Sequence, residues 1–202
     1  MIDPNLRENP YFFIKRAINL LNDRNGKIIV EIGCMRMDFT HPINECHHEC
    51  CNDGHSSALW ASTGLEFYTV DISPSSISVA RKILIDQMKC ENVHIYQQDG
   101  LEFLNNFTKP IDLLFLDAWD VENTEYAEKH LEAYNVAKNN IHDKTLILID
   151  DTDVYWDFNK KDLFMSEDGL SGKGKLVIPE AQKDGFRIIF SGRQTLLAKG
   201  AV

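Results

Sequence analysis

The chain has 202 residues, 44% of them hydrophobic, and a formal net charge of −10. Such a length and apolar content suit one globular domain with a full core, while the charge disfavours steering of bare nucleic acid, which rests on Lys and Arg neutralising phosphates. No apolar run approaches the roughly 18 residues of a membrane helix, and "MIDPNLRENPYFF" lacks the basic-then-apolar pattern of a signal peptide.

Residues 11–22 carry apolar side chains at helical spacing and predict an amphipathic N-terminal helix, within a helical segment 1–25. "KIIVEIG" (27–33) predicts a buried strand, and "SSALWASTG" (56–64) a short helix with a serine cap and Gly64 at its end. "LEFYTVDI" (65–72) is a second strand, and "SPSSISVARKILIDQM" (73–88) a helix with Ser and Pro start signals. Then come a strand at 93–99, a short helix at 100–107, a strand at 111–117, a longer helix at 123–139 and a fifth strand at 144–150. After a loop at 152–172, "GKLVIPEAQKD" (174–184) reads as a helix, and "FRIIF" and "QTLLAK", joined by "SGR", as an antiparallel hairpin. Strands alternating with helices predict a doubly wound, mostly parallel α/β sheet of seven strands, Rossmann-like, closed by a C-terminal antiparallel hairpin, in a single domain over 1–202.

The five cysteines, at 34, 46, 50, 51 and 90, are an odd number without a secretion signal. Reduced thiols and a cytoplasmic location are expected.

The predicted strands end in acids along the edge where such folds bind ligands: Glu31, Asp71, Asp99, Asp117 and Asp150. Buried carboxylates are costly without a polar partner, and Gly33 beside Glu31 allows close backbone approach to a ligand. Asp71, ending the second strand, stands where doubly wound folds place the acid that accepts from ribose hydroxyls. It lies 38 positions after Gly33 (71 minus 33) rather than about 20, and treating 35–53 as an insertion restores the usual gap. A nicotinamide enzyme would want a tight G-x-G-x-x-G after the first strand, and none is present. The plainer alternative makes these acids helix caps.

"VEIGC", "YTVDIS", "QQDGLEFL", "LLFLDAWD" and "LILIDD", in that order and spacing, resemble the motifs of the class I S-adenosylmethionine-dependent methyltransferases over residues 27–199. The resemblance implies S-adenosylmethionine as methyl donor. It puts Glu31, Gly33 and Cys34 beside the methionine part, Asp71 on the ribose, Ile72 against adenine, and Asp99 and Gly100 at the adenine edge. His55 and Ser56 return to the cofactor from a displaced glycine loop. Here the chain departs from the family, since Cys34, Met35 and Arg36 follow Gly33 instead of further glycines.

The resemblance extends to metal-dependent O-methyltransferases, catechol-type or sugar-modifying, which use acids at these two strand ends. It implies Asp117, Asp150 and Asp151 as oxygen ligands for Mg²⁺ or another divalent cation gripping a hydroxylated small-molecule acceptor. The alternative leaves Asp150 and Asp151 capping a turn. Asp117, which also borders the cofactor, Asp120 or a histidine of the insertion is the general base. His142 reads as solvated at the wrong edge, and His130 as a surface residue of the long helix.

Within the insertion, His41, Cys46, His47, His48, Cys50 and Cys51 read as a polar lid, with a structural metal as the alternative. The aromatics of 152–172 either cover the substrate or bury themselves against the sheet edge or the partner subunit of a homodimer. The reading that results is methyl transfer to a small-molecule hydroxyl, with no nucleic acid or membrane partner. Its alternatives are a metal-independent N- or C-methyltransferase and a silent nucleoside-binding module.

Overall fold

A computed structural model describes residues 10–37, 55–166 and 171–200. Strands β1 (Ile28–Ile32), β2 (Glu66–Asp71), β3 (Val93–Gln97), β4 (Ile111–Leu116) and β5 (Ile141–Ile149) run parallel in one sheet. A separate two-stranded sheet is formed by β6 (Val154–Asp157) and β7 (Asp162–Met165). Near the C-terminus, β8 (Arg187–Phe190) pairs antiparallel with β9 (Thr195–Ala198), and β9 pairs antiparallel with β5. The large sheet has the order β3-β2-β1-β4-β5-β9-β8. Its seven strands, mostly parallel with an antiparallel C-terminal pair, match the sequence expectation.

Alternation along each strand builds two cores. Ile29, Phe67, Leu113, Phe115 and Leu148 face α1 (Pro10–Asp23), α2 (His55–Ala61) and α3, which runs α-helical over Pro74–Ala80 and π-helical over Arg81–Gln87. Val30, Ile32, Val70, Leu114 and Ile147 face α4 (Gly100–Asn106), α5 (Tyr126–Ala137) and α6 (Val177–Lys183). Both faces of β1 are covered, so all five of its residues are buried. That explains its run of β-branched residues. Among the described residues no helix is long and apolar enough to cross a membrane.

Four expectations need correction. β5 begins at Ile141, not Lys144, because Ile111 pairs with Ile141 across a register shift and Thr145 Oγ1 donates to the Ile111 carbonyl at 2.6 Å. Part of 152–172 is the β6–β7 hairpin rather than a loop, with Tyr155 stacked on Phe164 at 5.9 Å. α6 starts at Val177, three residues late, because residues 171–173 hydrogen-bond back onto Asp151 and Thr152. His130 is fully buried, not a surface residue, with Nδ1 2.6 Å from the Tyr126 carbonyl and its ring against Trp119. His142 is partly exposed and pairs with Asp112 at 3.2 Å. The insertion's cysteine and histidine cluster, positions 41–51, lies outside the described residues.

Candidate functional site

Hydrogen bonds run one step past the strand ends. Gly33 N donates to Val70 O, Asp117 N to Ile32 O, and Asp150 N to Leu116 O, at 2.9, 2.9 and 3.1 Å. They level the carboxyl edge and bring the strand-end acids to one rim. A cavity of about 390 Å³ opens there, lined among others by Gly33, Cys34, Arg36, Ser56, Asp71, Ile72, Asp99, Gly100, Asp117 and Asp120.

Glu31 does not line this cavity. Parallel pairing places it beside Thr69, and its odd-numbered face turns it under α2. Ser57 Oγ donates to Glu31 Oε2 at 2.6 Å and Thr69 Oγ1 at 2.7 Å. The residue is 1% exposed. Burial, only partly offset by those hydroxyls, pushes its carboxyl up to about 7. Gly33 lines the cavity and also lets two backbone segments meet. Its φ is +97°, and a Cβ there would stand 2.8 Å from the Asp117 carbonyl oxygen.

Asp71 bridges two segments at the cavity wall. Its Oδ2 accepts from Cys34 N at 3.2 Å and its Oδ1 from Ser73 N at 2.8 Å. Beside it Ile72 is 70% exposed, an apolar surface facing the hollow. Asp99 is a helix cap as well as a wall residue, since its Oδ1 accepts from Leu101 N and Glu102 N at 2.9 and 3.1 Å. Gly100 lets α4 approach β1, because a Cβ would lie 2.5 Å from Ile32 Cγ2. Burial and the neighbouring Asp71 and Glu31 carboxylates push the Cys34 thiol up, which keeps it a thiol rather than a nucleophile. His55 opens α2 next to Ser56.

At the β4–β5 end, carboxylate oxygens of Asp117, Asp150 and Asp151 lie within 4.8 Å of one another. Oxygen-only donors suit a hard divalent ion, so the convergence expected from sequence is present. A protein cation already stands among them. Lys173 Nζ, on a side chain 1% exposed, lies 2.7 Å from Asp117 Oδ1 and 3.2 Å from Asp151 Oδ2. Arg193 reaches Asp151 Oδ1 at 3.1 Å, and Gln194 Nε2 donates to Asp150 Oδ1 at 2.6 Å. This set does not fit a resident metal. The three residues predicted as metal ligands, Asp117, Asp150 and Asp151, are thus each engaged by a donor of the chain itself. Burial, with Asp117 and Asp151 alongside, pushes Asp150 well above the usual carboxylate range. Burial acts on Asp151 the same way, but Lys173 and Arg193 outweigh it and hold that carboxyl below its ordinary value. Burial and the Lys173 charge press His130 down to about 3, so its ring is neutral.

Asp120, 43% exposed, pairs with Arg36 at 2.8 Å across the cavity mouth. Trp119 and Asp151 both adopt φ of +45°, an uncommon conformation for residues other than glycine, and one that clusters at functional sites. Sequence reasoning missed Lys173, Arg36 and Trp119. Only Lys173 leaves a sequence signal, the "GKG" at 172–174, where glycines on both sides imply tight packing.

The strand order, mostly parallel with an antiparallel C-terminal pair, is that of Rossmann-like methyltransferase structures, the fold that the sequence resemblance implies. No protein-family model matches the chain. Among curated proteins it is similar to the O-methyltransferase ankF of Aspergillus thermomutatus, 27% identical over 141 residues, covering 67% of this chain and 50% of ankF. The chain thus spans about half the length of that relative. A candidate caffeoyl-CoA O-methyltransferase from Staphylococcus aureus superposes with a TM-score of 0.63 at 17% identity, covering 94% of this chain and 83% of the other. The S-adenosylhomocysteine-bound methyltransferase PaMTH1 of Podospora anserina gives 0.61 at 17% identity, covering 94% and 78%.

Proposed function

We propose that the chain is an S-adenosylmethionine-dependent methyltransferase that methylates a hydroxyl of a small molecule. The observation that carries this is Asp71, an acid at the end of β2, fixed by two backbone N–H groups at the wall of a cavity on the carboxyl edge of this sheet. Each backbone donor takes one lone pair of its oxygen, which leaves another for a ribose hydroxyl and leaves the charge uncancelled. O-methyl transfer is favoured over N- or C-transfer by the likeness to ankF.

In this proposal Asp71 accepts from the ribose, Ile72 packs on adenine, and Asp99 and Gly100 border the adenine edge. Cys34, His55 and Ser56 flank the methionine part, with Glu31 and Gly33 shaping that loop from beneath. The donor supplies an electrophilic methyl group on a sulfonium. The chain's part is to align the acceptor oxygen with that methyl and to receive the hydroxyl proton. Asp120, partly exposed at the mouth, receives it, while Arg36 holds the carboxylate in place. Asp117 lines the acceptor end in an orientation fixed by Lys173. Metal assistance is left out, because the acids that would supply it are already paired. The negative rim draws in a cationic donor. A small-molecule rather than nucleic-acid acceptor and a cytoplasmic setting belong to the same proposal, while self-association is left to a sizing measurement.

Calorimetry with S-adenosylhomocysteine in EDTA tests it. One molecule bound per chain is expected, and absence of binding removes the reading. Donor consumption over a panel of phenols and polyols then identifies the acceptor, and binding without turnover across that panel would favour a silent nucleoside-binding module.

A further inference from the structure

We infer that Lys173 is the built-in cation of the β4–β5 acidic cluster, standing where a divalent ion would stand and closing the cluster to metal. Any ion using Asp117 Oδ1 and Asp151 Oδ2 needs both oxygens at about 2.0–2.6 Å. The ammonium already contacts them at 2.7 and 3.2 Å, and Asp120 Oδ1 lies 3.9 Å away. Two cations cannot share that space in a buried site, where like charges repel strongly.

The lysine is placed by the backbone, not by a flexible stem reaching in from solvent. Lys173 N donates to the carbonyl of Asp151, the residue whose carboxylate it neutralises, at 3.1 Å. Ser171 N and Gly172 N both donate to Thr152 O, at 3.0 and 3.2 Å. A Cβ at Gly172 would stand 1.6 Å from the Asp151 carbonyl oxygen, so no other residue fits there without moving the segment. At Gly174 a Cβ would meet Ile178 Cδ1 at 2.5 Å. The two glycines therefore press Lys173 onto the end of β5. Arg193 and Gln194 occupy further carboxylate oxygens of Asp151 and Asp150. All three acids thus have protein donors.

The consequence for catalysis rests on the methyltransferase reading above. Lys173 is a positioning residue that fixes Asp117 at the cavity wall, and methyl transfer needs no divalent ion. The charge pairing itself stands whether or not that reading holds.

Mn²⁺ titration followed by electron paramagnetic resonance tests the pairing directly, without an acceptor. The wild-type chain is expected to take up no Mn²⁺ that is lost on Asp151→Asn. Lys173→Ala removes the resident charge and should tighten Mn²⁺ binding by on the order of 100-fold, since a like charge at contact distance has gone. The gain should vanish in the Lys173→Ala, Asp151→Asn double variant and be absent in Lys173→Arg. Wild-type uptake that Asp151→Asn abolishes overturns the inference, as does a folded Lys173→Ala that gains no Mn²⁺ affinity. Wild-type uptake insensitive to Asp151→Asn lies elsewhere in the chain and supports a closed cluster. Should Lys173→Ala fail to fold, the wild-type and Asp151→Asn titrations decide alone. Failure of S-adenosylhomocysteine binding would remove the methyltransferase reading and leave these results standing.

Discussion

At the β2–β3 end of the cavity, Asp71 and Asp99 are held by backbone N–H groups; at the β4–β5 end, Asp117 and Asp151 are held by side-chain cations. The residue type and the edge of the sheet are the same. A backbone donor occupies a lone pair but leaves the negative charge in place. A buried ammonium cancels it. The first end is therefore suited to accept further hydrogen bonds and attract positive charge, and the second to hold a fixed shape. An acid at a strand end says where a site is; its partner says what kind of site it is.

Glu31 offers the largest test of the dipole-held side, since hydroxyls and no cation accompany it. Its native carboxyl, raised to about 7 from 4.5, keeps its proton at pH values where the unfolded chain has lost it. The native state thus binds more protons, and stability is fullest below about 4.5 and declines as pH rises towards 7. The decline attributable to this group is about 3 kcal/mol. Urea unfolding across that range should show Glu31→Gln lacking this slope; parallel profiles for the two proteins would contradict the account.

A smaller effect is expected at Asp71. Asp71→Ala should weaken S-adenosylhomocysteine binding by about 1.5–3 kcal/mol, the worth of hydrogen bonds to a charged acceptor. Melting measured in parallel separates ligand loss from release of Cys34 N and Ser73 N. Unchanged affinity would move the ribose elsewhere. Smallest is Asp99→Ala, which removes a helix cap and should cost about 1 kcal/mol of stability, with a loss of affinity below that of Asp71→Ala. A larger loss of affinity there would make Asp99 the main anchor and reverse the order of the two acids.

Much of this is legible in the sequence alone. The apolar runs of β1, β4 and β5 marked buried strands, since a strand covered on both faces needs side chains of that type throughout. Helical periodicity and turn residues then set the alternation that yields a parallel sheet. The acids at strand ends announced the rim, because strand direction alone decides which edge they share. Register and the partners of the acids were not legible. The seal over Glu31 depends on Thr69, which only register brings alongside. The lysine that neutralises Asp117 is 56 positions away in sequence. Local sequence thus determined the strands, the helices and the acidic edge, whereas tertiary structure decided which acids keep their charge open and which are neutralised. The physical reason is that propensity and hydrophobic period act over a few residues, while electrostatic pairing depends on distances in space between residues far apart in the chain.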